Sequence, residues 1–600
     1  MTGRLGATPV GDGVRFEVWA PYARAVDVHL HADLRDVPLE PAGDGTHVGV
    51  IDGVGVTDLY RYRLDGSEPL PDPASRHQPL GVHGPSAVVD PAAWTWTDAS
   101  WTGVELADTV LYELHVGTFS PEGTFDGVVA QLPRLVALGV STLEIMPVNA
   151  FPGARNWGYD GVFCSAVQDS YGGPDGFARL VDAAHGHGLG VVLDVVHNHL
   201  GPEGNVLGRF GPYFTDMYTT PWGPAVNVAD ADSDAVRRYF IESAVGLVGD
   251  FHLDGLRLDA IQAIVDPTAL TFIEELTAAV HTVGHEQGRP VLVFAESSAN
   301  DPRIVRDPDV GGWGCDGVWN DDVHHSLRVA LTGDTSGYYC DYSGVLDLAD
   351  CLAHGWNHRG RRSEFRRRRH GRSPNDVAKA HFVVYDQNHD QVGNRWDGAR
   401  LDTLVDGDRR RLAAATVLLS PFTPMLFMAE EYGETAPFPF FVDHGDPGLR
   451  KAVRRGRAEE FAAMDWAGTP PDPAAESTFV SAVLDPTLAE EEPHASLLAF
   501  HRELLALRRR APAITHPDAD QHVTADNEGL VTLERRLSHE MVTIFFNFSD
   551  DARPIEVPET GNVLLDSADS RWGGPGPSAM SGDGLTIAPW SALLTSTTAL

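Results

Sequence analysis

Lysine is almost missing from this 600-residue chain: Lys379 and Lys451 are the only two, and the other basic side chains are arginines. Against 45 Lys and Arg stand 85 Asp and Glu, a formal net charge of −40. A surface this acidic repels nucleic acid phosphates and anionic lipid, so neither is an expected partner, and a neutral or cationic ligand suits it better. The preference for Arg over Lys reads as coding bias or mild salt adaptation. Cysteine is also scarce. Cys164, Cys315, Cys340 and Cys351 form no C-x-x-C pair, so buried free thiols in a cytoplasmic protein are expected, with a Cys340–Cys351 bridge as the alternative. No apolar run reaches the roughly 18 residues that span a bilayer. Residues 1–21 lack a basic segment followed by an apolar one, so no secretory signal is expected. Internal repeats and low-complexity segments are absent as well.

What is present is an ordinary globular composition, 42% hydrophobic and 22% charged, in a chain too long for one core, so two to four domains are expected. Residues 1–98 alternate with period two in short runs (14–19, 26–30, 60–64) between Gly, Pro and Asp turns, which predicts an N-terminal β-sandwich. From about 109 short apolar runs alternate with amphipathic segments. The runs at 110–116, 142–147, 190–196, 255–259, 291–296, 315–320, 382–387 and 424–428 predict the eight strands of a (β/α)8 TIM barrel. A doubly wound sheet competes, but no G-x-G-x-x-G follows the first strand. The barrel is expected over 99–510, with long loops at 197–232 and a helical insertion at about 301–378. An amphipathic helix at 493–510 and strand-rich runs beyond it place a small C-terminal β-domain at 511–600.

The stretch that organises the chain is Asp254-Gly255-Leu256-Arg257-Leu258-Asp259-Ala260. Arg257 and Asp259 lie on one face of an extended chain, so the guanidinium can hold the carboxylate ionised. An ionised carboxylate at a strand's C-terminal end is what a covalent glycosidase needs as its nucleophile. Alone, an Arg-x-Asp pair is more often a structural salt bridge. Glu296, however, ends the fifth expected strand, and Asp390 follows the seventh in Gln387-Asn388-His389-Asp390. All three carboxylates then meet at the barrel's C-terminal mouth, where neighbouring strand ends can bring Asp259 and Glu296 to the roughly 5–5.5 Å of a retaining pair. Asp194-Val195-Val196-His197-Asn198-His199 ends the third strand with donors for a polyol.

The segments 194–199, 255–259, 295–296 and 388–390 resemble the four signature regions of the α-amylase family of glycoside hydrolases. The resemblance implies Asp259 as nucleophile, Glu296 as general acid/base and Asp390 as a third carboxylate gripping sugar hydroxyls, with Tyr159, His199, Arg257 and His389 around the sugar. Tyr112 to Phe119, Gly201 to Asn205, Trp319 to His325, Tyr338-Tyr339 and Asp72 to Arg76 narrow it to the maltooligosyltrehalose trehalohydrolase family. That implies release of trehalose from a trehalose-capped maltooligosaccharide, α-1,4-glucan substrates, and functional pairing with a trehalose-forming synthase. The departures, His197, Asp386 and Ala429 where Tyr, an apolar residue and Gly are usual, touch no catalytic position. Trp319, Asn320, Asp321, Tyr338, Phe365 and Arg366 of the 301–378 stretch are the expected contacts on the leaving-group side, and Trp222 of the 197–232 loop is a further expected substrate contact. A glucan branching enzyme of the same family is the competing reading, and a silent glucan-binding protein the reading from another class. His197-Asn198-His199 resembles a nuclease motif in letters only. His185 with His187 and the pair His324-His325 have metal-like spacing, but solvated or hydrogen-bonded rings are the commoner case. Asn198 matches a position that ligates calcium in many amylases, yet the acidic ligands for such an ion are not identifiable. No metal and no cofactor is assigned.

Overall fold

The computed structural model of the chain describes residues 3–220, 223–463, 469–556, 561–581 and 584–598. Eight parallel strands close a barrel: β1 Leu111–Leu114, β2 Thr142–Ile145, β3 Gly190–Val195, β4 Gly255–Leu258, β5 Leu292–Ala295, β6 Gly317–Trp319, β7 Phe382–Val384 and β8 Thr423–Phe427. Every residue of β1 to β5 is buried, which is why these strands read as continuous apolar runs rather than alternating ones. The expected barrel is therefore present. Its outer helices include α1 Leu132–Leu138, α2 Gly173–Gly186, α3 Ser233–Phe251, α4 Phe272–Gln287, α5 Asp321–Thr332, α6 Val345–His354, α7 Gly407–Leu418 and α8 His494–Arg510. α4 shows how the sequence marks such a helix. Thr271 caps its first turn by accepting from the Glu274 amide, and Gly288 ends it at φ 71°, a left-handed position glycine adopts without strain.

Two expectations change at this level. Between β5 and β6 the described chain makes only the 3-10 turns Pro302–Ile304 and Pro308–Val310 rather than a barrel helix. The stretch 301–378 is also not one insertion: β6, α5 and α6 lie inside it. α5 is hard to read as a barrel helix because its buried face includes Asp322, His324, His325 and Ser326. The cysteines differ too. All four are free; Cys164, Cys315 and Cys351 are buried as expected, but Cys340 is exposed, so it is neither a buried thiol nor a partner for Cys351.

At the N-terminal end two four-stranded antiparallel sheets face each other, one built on Gly13–Trp19 and the other on Val26–Leu30 and Leu59–Leu64. Phe16 and Tyr60 meet edge to face between them at 4.9 Å. This sandwich is tied to the barrel through α3, where the Tyr239 hydroxyl donates to the Pro73 carbonyl at 2.9 Å. At the other end a five-stranded sheet runs in the spatial order 520–525, 530–537, 540–547, 591–596, 562–566, with a three-stranded sheet beside it. Arg508, buried in α8, donates to the carbonyls of Leu418 and Ser420 and so ties the last barrel helix to the turn before β8.

The opposite end of β4 from the mouth is held by Asp254. Its two oxygens accept from Trp101 Nε1 at 2.7 Å, Arg289 at 2.7 Å and the Val191 amide at 2.8 Å, and His185 Nε2 lies 2.9 Å away. His185 thus faces carboxylates on both sides, Asp254 and Asp98, which accounts for it without a metal. Removing the carboxylate would leave a buried guanidinium, an indole and an amide without their acceptor. Asp254→Ala is expected to lose about 3–5 kcal/mol of stability, the usual scale for breaking a buried pair. Thermal unfolding should show a clearly lower midpoint, with turnover per folded molecule unchanged. Lost turnover at an unaltered midpoint would mean Asp254 acts at the mouth.

Candidate active site

The site is built around one side chain. Arg257, in the middle of β4, is fully buried and its register puts it opposite Asp194 of β3 and Phe294 of β5. Its Nη1 donates to Asp194 at 2.6 Å and to Asp259 at 2.9 Å, while Nη2 donates to Glu296 at 2.8 Å. The face of the guanidinium lies 4.2 Å from the centroid of the Trp319 ring, a cation–π contact strengthened by the absence of water. Period-two geometry delivers what the sequence suggested, Arg257 and Asp259 side by side, and the same cation also reaches the next strand's carboxyl.

Glu296 and Asp259 have different surroundings. Asp259 receives Arg257 on one oxygen and the Asn198 amide on the other at 2.6 Å. Glu296 accepts from Arg257 and from the Ala260 amide, both through Oε2. Ala260 sits at φ 41°, and this left-handed turn directly after Asp259 is what aims its amide at Glu296. Burial pushes the Glu296 carboxyl well above the ordinary value; Arg257 opposes this, and Asp259 and Asp390 add to it. Burial likewise raises Asp194, to about 6, and raises Asp390 against the pull of His389. Crowding carboxyls around one cation out of water leaves too little positive charge for all of them, which favours the protonated form of those pushed up.

Asp390 follows β7 at the start of the short helix His389–Gly393, where Asn388 caps by accepting from the Asp390 amide at 2.9 Å. His389 precedes it, fully enclosed, with Nδ1 2.5 Å from Glu113 of β1 and Nε2 2.8 Å from the Tyr159 hydroxyl. Burial would lower the His389 pKa, but Glu113 and Asp390 outweigh it and carry it up to about 9. Tyr159 stacks on the His389 ring and donates to Asp194 at 2.6 Å. His199 places Nε2 2.9 Å from the Tyr159 carbonyl, bracing the loop that carries the tyrosine.

Tyr159, Arg257, Asp259, Glu296, His389 and Asp390 are thus linked at one end of the barrel through these contacts. The leaving-group candidates scatter more. Asp321 lies at the start of α5 and accepts from the Tyr385 hydroxyl at 2.8 Å. Asn320 is a correction: it is 2% exposed and its amide donates to the Gly355 carbonyl, so it braces the chain after β6 instead of facing a ligand. Trp319 is likewise a barrel residue beneath Arg257, not part of an insertion. Tyr338 packs against His325 at 4.7 Å and meets Phe365 edge-on at 6.1 Å. Phe365 is 46% exposed, and its turn is held by Asp341, which accepts from the Glu364 and Phe365 amides while Ser363 caps the Arg366 amide. Trp222 lies outside the described residues. The other histidines singled out are accounted for locally. His324 lies between the Asp386 carbonyl and the Tyr339 hydroxyl, and His197 packs on Phe240 with burial lowering its pKa to about 4. Among the described residues no group of three or more His, Cys, Asp or Glu has the arrangement of a metal site.

Glu113 is the residue sequence reasoning missed. Its signal was a lone carboxylate inside an otherwise apolar four-residue strand. Beside it in register stands Glu144 of β2, buried with both oxygens unbonded and its carboxyl pushed well above the ordinary value by burial and by Glu113.

A closed (β/α)8 barrel with a guanidinium-bridged set of carboxyls at one end of its strands defines a glycoside hydrolase of the α-amylase type. The profile of the alpha amylase catalytic domain matches residues 89–210, and that of carbohydrate-binding module 48 (isoamylase N-terminal domain) matches residues 4–91. The malto-oligosyltrehalose trehalohydrolase of Arthrobacter ramosus is 44% identical over 94% of this chain and 97% of its own. That of Saccharolobus solfataricus is 44% identical over 83% and 85%. A Salmonella typhimurium crystal structure, described as a candidate alpha amylase, superposes with a TM-score of 0.90 at 38% identity, covering 98% of this chain and 99% of that one. A 1,4-alpha-glucan branching enzyme of Rhodococcus jostii is more distant, 26% identical over 72% of this chain and 61% of its own. The chain belongs to the malto-oligosyltrehalose trehalohydrolase family.

The Glu113–His389 pair gives a prediction with a definite sign. A histidine raised from 6.5 to about 9 adds stability that is complete below 6.5 and lost as pH rises through about 9. Its full contribution is on the order of 3 kcal/mol. Glu113→Gln should bring the His389 titration, followed by NMR of ring-labelled histidine, down by at least about one unit. The variant's stability should also fall less than the wild type's between pH 6.5 and 9. An unmoved midpoint would mean that Glu113 does not set the histidine's charge.

Proposed function

We propose that this protein cleaves the α-1,4-glucosidic bond next to the terminal trehalose of maltooligosyltrehalose, with retention of configuration, releasing trehalose and a maltooligosaccharide. The observation that carries the reading is the single buried guanidinium of Arg257, bonded to Asp259 and to Glu296 at once. In this reading the Asp259 carboxylate attacks the anomeric carbon of the glucose in the −1 position. Protonated Glu296 gives its proton to the departing trehalose oxygen as the glycosidic bond breaks. The ester of Asp259 and the sugar is then hydrolysed: ionised Glu296 takes a proton from water, the water oxygen bonds the anomeric carbon, and Asp259 leaves as carboxylate. Asp390, protonated His389 and Arg257 hold hydroxyls of the distorted ring as positive charge develops on it.

The raised Glu296 carboxyl supports its part as acid, because a general acid must be protonated at working pH. The near-full-length likeness to trehalohydrolases favours water over a second glucan as acceptor, against the branching reading. The substrate must come from an activity that converts the reducing end of a maltooligosaccharide to trehalose. A trehalose-forming synthase of the cytoplasm is the partner this implies. No described helix is long and apolar enough to cross a membrane.

A mechanism-based fluorosugar should label Asp259 alone, and Asp259→Asn should lose several orders of magnitude in kcat with its fold intact. Label on Asp390 would reassign the nucleophile. Glu296→Gln should remove the basic limb of the rate–pH profile and spare activated aryl glycosides in the glycosylation step; equal damage to both substrates would remove Glu296 from the acid's role.

Trehalose is bent and has no reducing end, so it must be recognised on the leaving-group side, and in this reading Asp321, Tyr338 and the 363–366 turn form that side. Aromatic faces stack on glucose rings and guanidinium donors fix hydroxyls. Phe365→Ala and Arg366→Ala should each cost about 1–3 kcal/mol in kcat/KM for trehalose-capped chains. Hydrolysis of plain maltooligosaccharides should change little. Equal loss on both would move the trehalose site to the 197–232 loop.

A further inference from the structure

One sizeable cavity lies away from the barrel mouth. A groove of about 820 Å³ runs along the seam between the N-terminal sandwich and α2. Its sandwich side carries Leu80, 67% exposed, and its barrel side the first half of α2. Its floor is the linker between the two domains, where Trp94 and Trp96 stand edge to face at 6.4 Å. Each indole has one face covered inside the protein: Trp96 stacks on His252 at 3.9 Å, and Trp94 lies on Phe251 at 4.8 Å. Both remain partly exposed and line the groove. The Trp94 Nε1 donates to Asp175 at 2.8 Å, which fixes the ring's orientation.

The polar rim is mostly acidic. Asp90, Asp169 and Asp175 each use one oxygen on a neighbour, Ala92 N, His77 and Trp94, and so keep the other for a ligand's hydroxyls. A rim of carboxylates on a chain of net charge −40 turns away phosphates and anionic polymers. Anchored aromatic faces beside hydroxyl acceptors select a neutral polyol with an apolar ring face. The connection from β2 to α2 carries Tyr159 to the mouth and Asp169 to this groove, so the two lie on one loop yet share no side chain.

We propose that the Trp94–Trp96 groove is a second carbohydrate site, which binds an α-1,4-glucan chain outside the barrel and holds the polymer near the mouth without cleaving it. This rests on the reading that the substrates are α-1,4-glucans. A stacking contact accounts for its affinity, so loss of one ring should weaken binding several-fold, about 1 kcal/mol or more.

Calorimetric titration of the full-length Asp259→Asn protein with maltoheptaose tests it. Two sites per chain are expected, and adding Trp96→Ala should weaken one of them several-fold while leaving the other unchanged. Ala93→Arg, at an exposed position on the groove wall, blocks the groove while leaving the packing of both indoles in place, and should remove the same site. Each change alone, with Asp259 intact, should leave kcat/KM on a short trehalose-capped oligosaccharide within twofold of wild type. Two sites unchanged by both substitutions, or a single site in the parent protein that both leave unchanged, overturns the proposal. A single site in the parent protein that Trp96→Ala weakens and Ala93→Arg removes would count against the glucan-cleaving reading of the mouth and leave the groove standing.

Discussion

A single buried cation organises the mouth of this barrel. Arg257 has no exposed side-chain surface, and an isolated charge there would cost many kcal/mol in lost hydration. Asp194, Asp259 and Glu296 offset that cost on the plane of the guanidinium, and Trp319 covers its face. One positive charge cannot neutralise all three carboxyls, so burial favours a protonated form among them, and the upward shifts of Glu296 and Asp194 follow. The barrel's inner layer is polar where apolar filling is usual, and the chemistry depends on that exception.

A second charged pair, Glu113 with His389, supports the first. It links β1 to the turn after β7 and fixes the ring against which Tyr159 stacks. Tyr159 then returns to Asp194 and, at 3.3 Å, to Arg257. These contacts join strands β1, β3 and β4 to Tyr159 on the β2–α2 connection and to His389 after β7, so the barrel's register and these two connections together set the site's geometry. Asp341 shapes the 363–366 turn beyond β6 by accepting from Ser363 and the Glu364 amide.

Much of this was legible beforehand because it follows period two and strand ends. Arg257 beside Asp259, and carboxyls at the ends of β4 and β5 and after β7, are one-dimensional patterns that survive folding. Glu113 was hidden because its partner is 276 residues away in sequence. Asn320 was misjudged because adjacency to a site in sequence does not set which way an amide points; it turned to Gly355. The strand at 315–320 was legible, but α5 after it was absorbed into an insertion, because its buried face mixes Asp322, His324, His325 and Ser326 with the apolar residues. The seam groove was invisible for the same reason as Glu113, since its walls come from two domains.

If Asp259 and Glu296, held by one guanidinium, act as the nucleophile and acid of a retaining pair, the anomeric centre must invert twice. Proton NMR of the maltooligosaccharide freshly released from a trehalose-capped chain reads this directly. The account predicts that the new reducing end appears first as the α-anomer and mutarotates to the mixture, with free trehalose formed in equal amount. A β-anomer in the first spectra would contradict it.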